Sequence, residues 1–204
     1  VNLYTIIEVI EQEFKRELSK EDGEKVITLV PHLAEFNEYP EVKVELIKKG
    51  KSDIYDLYYI FRDDRQKVES IQDKENAYIM MYYLAKNKLE STSYDSNVQR
   101  QIIGAESLED IKRIFQKNLL YKAYSFFGSN KQGINLEKSA DGYNVFYYDK
   151  NEIKTNIVEN RKLNNACLVL YNYSVRMSKF YTSLEKLGID RDSQLAKMAK
   201  DIYI

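Results

Sequence analysis

The chain has 204 residues, of which 44% are hydrophobic and 31% charged, with a net charge of −1. That composition supports a packed fold rather than a disordered one. Near-neutral charge argues against a globally basic nucleic-acid binder. No apolar run approaches the ~20 residues of a membrane span. The single cysteine, Cys167, excludes an internal disulfide and fits a reducing compartment.

The opening stretch, "VNLYTIIEVIEQEF", is acidic and amphipathic, which does not read as a signal peptide. Leu3, Ile6, Ile7, Ile10, Phe14 and Leu18 recur every three or four residues, which predicts a helix over 3–18. Gly23, Pro31 and Pro40 punctuate a less regular stretch over 19–41, with a short helix expected around Lys25–Val30. "VKVELI" at 42–47 and "YDLYYIF" at 55–61 read as strands joined by a "KKGKSD" turn. "RDDR" at 62–65 is a charged turn, and "QKVESI" completes a third strand. Asp73 is placed to cap a helix with an apolar face of Ala77, Met80, Met81, Leu84 and Leu89.

The second half repeats this plan. Leu108, Ile111, Ile114, Phe115 and Leu119 form a helical stripe. "GINLEKSADG", "YNVFYY" and "IKTNIV" read as three strands, with "DKNE" as the second turn. A long helix follows over about 162–187, ended by Gly188, and a last helix covers about 192–203. Tyr55–Tyr59 aligns with Tyr143–Tyr147 at an offset of 88, and Asn76–Tyr82 with Asn165–Tyr171 after one inserted residue. The fold expected is therefore α+β: a tandem duplication of a helix–three-stranded antiparallel sheet–helix unit, with an extra C-terminal helix. The units would span 1–91 and 107–188, with 92–106 as linker and 189–204 as the C-terminal helix.

Alternation puts Tyr55, Leu57, Tyr59 and Phe61 on one strand face, and Asp56, Tyr58 and Ile60 on the other. Base-stacking platforms interleave aromatics with Lys or Arg, and these strands contain neither, so they read as core. The chemistry-bearing residues are sparse. His32 is the sole histidine, which excludes a His-rich metal site. Cys167 lies in "NNACLVLY", an apolar helical setting. No glycine-rich phosphate loop or nucleophile elbow occurs. Asp141, Glu152 and Lys154 imitate a metal-dependent nuclease pattern. In a hairpin, however, the two carboxylates would lie roughly 23 Å apart. No catalytic residue, metal or cofactor is expected.

Charge is unevenly placed: residues 1–107 carry 15 basic and 21 acidic side chains, and residues 108–204 carry 16 and 11. The acidic excess and the charged turn point to protein recognition, with Glu35, Glu38, Arg62, Asp63, Asp64 and Arg65 as candidate contacts.

The segment "YDLYYIFRDDRQKVESIQDKENAYIMMYYLAKNKLE" resembles the small α+β immunity proteins encoded beside bacterial polymorphic toxins. Ser70, Asp73 and the helix from Lys74 match that family's strand-to-helix entry. The turn departs from it, with Asp63-Asp64-Arg65-Gln66 where members often carry Glu-Arg-Gly. The resemblance implies a cytoplasmic, non-enzymatic protein that binds and blocks a cognate toxin. A second expectation is a phage or mobile-element inhibitor of a nucleic-acid enzyme, acting through an acidic surface. Under both, the partner is a protein toxin or target enzyme, with neither membrane nor nucleic acid as partner.

Overall fold

The structure is a computed structural model that describes residues 8–10, 27–30, 33–36, 41–90, 95–119 and 123–204. The chain is α+β and divides into two compact units: Val1–Glu90 with Lys186–Tyr203, and Ser91–Glu185 with Ile204.

The first unit holds an antiparallel sheet of order β1 (Ile27–Val30), β2 (Leu33–Phe36), β3 (Val42–Lys48), β4 (Ile54–Phe61) and β5 (Asp64–Gln72). Helix α1 (Lys74–Glu90) follows directly. Asp73 caps it: the Asn76 amide donates to Asp73 Oδ1 at 3.1 Å. One sheet face carries Val44, Leu46, Tyr55, Leu57 and Ile71, all buried. Lys88 of α1 lies 4.2 Å from the Tyr59 ring centroid, which turns the stripe Ala77, Met81, Leu84 and Lys88 toward that face. Burial on α1 extends well beyond this stripe, to Tyr78, Ile79, Tyr82 and Tyr83. The C-terminal helix α5 (Gln194–Tyr203) covers another side, with the Tyr203 ring edge-on to Tyr83 at 6.0 Å.

The second unit holds a mixed sheet of order β6 (Tyr124–Phe126), β7 (Gly133–Lys138), β8 (Tyr143–Tyr148) and β9 (Lys154–Arg161). Strands β6 and β7 run parallel, and the others are antiparallel. Helices α2 (Ser96–Ile103), α3 (Leu108–Asn118) and α4 (Leu163–Leu187) complete it. Phe115 of α3 sits 5.0 Å from the rings of both Tyr124 and Phe126, and 5.3 Å from Tyr171 of α4. The Asn164 side-chain amide donates to the carbonyls of Ile103 and Ala105, both at 2.9 Å, and so fastens the end of α2 to the start of α4.

Several expectations are corrected. Ile27–Val30 is a strand and not a helix, in keeping with its β-branched Ile, Thr and Val. Glu35 lies in β2, paired with Thr28 and Lys43, and not in an irregular segment. Among the described residues the first sheet has five strands and the second four, where three each were expected. The two sheets therefore differ, and a tandem duplication does not follow from their architecture. The stretch 92–106 contains α2, whose cap, Asp95, accepts from the amides of Asn97 and Val98 at 2.9 and 3.2 Å. Of the helix expected over 3–18, residues 8–10 are helical and the others lie outside the described residues.

Candidate interaction surface

Side chains alternate along β4, so the residues between its core-facing ones lie on the far face of the first sheet. That face carries Glu45 and Ile47 from β3, and Ile54, Asp56, Tyr58 and Ile60 from β4. Strand β5 adds Arg65, Lys67 and Ser70. It faces solvent: Ile47 and Ile54 are each 37% exposed, and all of β5 but Ile71 is exposed.

Asp56 is the exception, since it is buried on a face whose other named side chains are exposed or half-buried. Its carboxylate is fully partnered. Lys67 Nζ lies 2.8 Å from Oδ1 and Lys49 Nζ 3.3 Å from Oδ2, and the Ser70 hydroxyl donates to Oδ1 at 2.5 Å. Register explains the convergence: Asp56 is directly opposite Ser70, and the ladder then slips by one residue between Leu57 and Tyr58. Val68 is the residue left without a cross-strand partner, and the slip brings Lys67 beside Tyr58.

These partners hold the Asp56 carboxyl at about 2, below its ordinary 3.8, with the Lys67 hydrogen bond as the largest cause and the Ser70 and Lys49 bonds next. Burial acts in the opposite direction and is outweighed. Asp56 raises the Lys67 ammonium in turn. Because the folded-state value is depressed, the cluster's stabilisation is complete above pH ~4 and is lost as pH falls through about 2. An NMR titration of the Asp56 carboxyl carbon should give a midpoint near 2. In Lys67→Met the midpoint should move up toward the ordinary carboxylate value. An unchanged midpoint in that variant would show that Lys67 is not the main cause.

A second network lies further along the same face. Arg65 pairs with Glu45, and its guanidinium sits 4.2 Å from the Tyr58 ring centroid. The second sheet has a counterpart. Lys154 of β9 pairs with Glu137 of β7 and sits 4.2 Å from the ring centroid of Phe146 in β8. The cations correspond in register: Arg65 is opposite Ile60, two residues beyond Tyr58, and Lys154 is opposite Tyr148, two residues beyond Phe146. The carboxylates do not, since Glu45 is opposite Tyr58 and Glu137 is opposite Asn144.

The candidate contacts divide accordingly. Arg62, Asp63, Asp64 and Arg65 come together at the β4–β5 hairpin, all exposed. Arg62 takes φ +56 in the two-residue loop, and its amide donates to the Glu41 carbonyl at 2.7 Å. Arg65 is turned back onto the sheet by Glu45 and Tyr58. Glu35 lies two strands away in β2, and Glu38 is outside the described residues. Sequence reading named Asp56 and Ser70 without joining them, and missed Lys67 and Glu45. The available signal was a carboxylate set in the middle of an aromatic strand.

The catalytic candidates fare differently. His32 is outside the described residues. Cys167 is fully buried, and burial pushes its thiol up to about 12, far from a reactive thiolate. Asp141 precedes β8 and Glu152 follows it, so the strand's length separates them. Glu152 is paired with Lys131 at 2.8 Å, and Lys154 with Glu137. Among the described residues, no three His, Cys, Asp or Glu side chains form a group that could hold a metal ion.

The fold and this face define an α+β protein with an exposed sheet surface of paired charges and aliphatic side chains. No family model matches the chain, and comparisons with curated proteins and with solved structures found no match. Among the described residues, no helix is long and apolar enough to cross a membrane.

Proposed function

We propose that the chain is a non-enzymatic inhibitory binding protein of the bacterial cytoplasm, an immunity protein that neutralises a cognate toxin by direct contact. The observation that carries this reading is the outer face of the first sheet, where half-exposed Ile47 and Ile54 flank a fixed set of charges. Apolar side chains set beside ordered polar groups suit a protein partner. Tyr58 is already covered by Arg65, which argues against its use as a base-stacking platform. The resemblance over residues 55–90 supports the same assignment.

We also read the two halves as diverged copies. Both run as an antiparallel three-strand meander into a helix, β3–β4–β5–α1 and β7–β8–β9–α4, and both set a cation over an aromatic ring in the same β4–β5 and β8–β9 register, with a carboxylate of the third strand as its partner.

Co-expression with the product of the neighbouring gene tests the assignment. A toxic neighbour that copurifies with this chain, and whose toxicity the chain relieves, is the expected result. A toxic neighbour that neither binds nor is neutralised would overturn it.

A further inference from the structure

We propose that α5 is a strap that opens from α1 while the sheet and α1 stay folded, a device independent of the immunity reading. Three observations lead there. First, α5 has ten residues, too few to be a stable helix in isolation. Its fully buried side chains are Ala196, Ala199 and Tyr203. Two alanines remove little apolar area from water, so Tyr203 is the main anchor. Leu195, Met198 and Ile202 are half-buried.

Second, the anchor grips polar groups that water can serve as well. The Tyr203 hydroxyl bonds the Glu90 carboxylate, and the Tyr203 carbonyl accepts from the Asn87 side chain at 2.7 Å. Lys86 and Glu90 form an ion pair at 2.8 Å with side chains 7% and 10% exposed. Lifting α5 rehydrates both ions, which offsets part of the apolar area lost. The opposite stripe of α1, Ala77, Met81 and Leu84, keeps its place on the sheet.

Third, the connection to α5 supplies a pivot for such opening. Gly188 ends α4 at φ +67 with open space around its Cβ position. Residues 188–193 then lead into α5, which Ser193 caps by accepting from the Ala196 amide at 3.0 Å. Such an element opens locally at lower free energy than the whole unit. Opening uncovers Tyr83, Asn87 and Glu90.

Native-state hydrogen exchange on the full chain tests this. Amides of α5 should be protected at least about tenfold less than those of α1. In Tyr203→Ala, protection of α5 should vanish while that of β4 stays within about threefold of the parent. If α5 and α1 exchange together in the parent chain, the strap does not open separately and the proposal fails. If Tyr203→Ala strips protection from 41–90 as well, α5 is an integral layer of that core and the proposal fails equally.

Discussion

Phe115→Ala is expected to destabilise the second unit by about 3–5 kcal/mol, among the largest effects of any single substitution in the chain. Phe115 is fully buried and meets three rings edge-on: Tyr124 and Phe126 at 5.0 Å and Tyr171 at 5.3 Å. Those rings come from the parallel edge strand and from α4, so the side chain ties α3 and the strand that follows it to a helix distant in sequence. Truncation removes the transfer free energy of the ring and three aromatic contacts at once, and the neighbouring rings cannot close the gap without leaving their rotamers. Strand β6 should respond most, because it has three residues and one paired neighbour. Urea titration followed by hydrogen exchange of peptides from 107–185 isolates the second unit from the first. A loss below about 1 kcal/mol would mean that the ring cluster collapses onto the vacancy and does not organise this core.

How legible this molecule was depends on the length and context of each element. Strands β4 and β8 and helix α4 were readable because their apolar patterns run for six residues or more. Strands β1 and β2 have four residues each and β6 has three, too short for alternation to stand out from chance. The parallel pairing of β6 with β7 depends on contacts that no local pattern encodes. Helix α2 was missed although Asp95 and Gly104 bracket it, because its polar stretch reads as linker. The surface was legible only as composition. Alternation puts Asp56 on the solvent side, and on that basis it would be exposed. Its burial arises from Lys49 in a turn and from Lys67 and Ser70 across a slipped register, a four-residue arrangement without a sequence signature. For Arg65 the position was read, but its tie to Glu45 and Tyr58 was not.

That tie determines how the interface should be probed. Reversing Glu35, Glu38, Asp63 and Asp64 together is expected to slow association with a basic toxin domain by about tenfold or more at low salt. Asp63 and Asp64 sit at the tip of the β4–β5 hairpin, so their charge meets an approaching partner before the sheet face does. With the native chain, attraction is screened as salt rises, and the association rate should fall. With the reversed chain, repulsion is screened instead, and the rate should rise with salt. Arg65 serves as the contrast. Removing it strips Tyr58 of its cation and Glu45 of its partner, so Arg65→Ala should lower the stability of the first unit by about 1 kcal/mol while changing binding less. Stopped-flow association rates at several salt concentrations, set beside the unfolding midpoint of each variant, separate the two effects. If the fourfold reversal leaves the rate and its salt dependence unchanged while binding persists, the hairpin tip and β2 lie away from the contact. The partner must then rest on the Ile47–Ile54 side of the sheet, where docking would depend on apolar area and be nearly indifferent to salt.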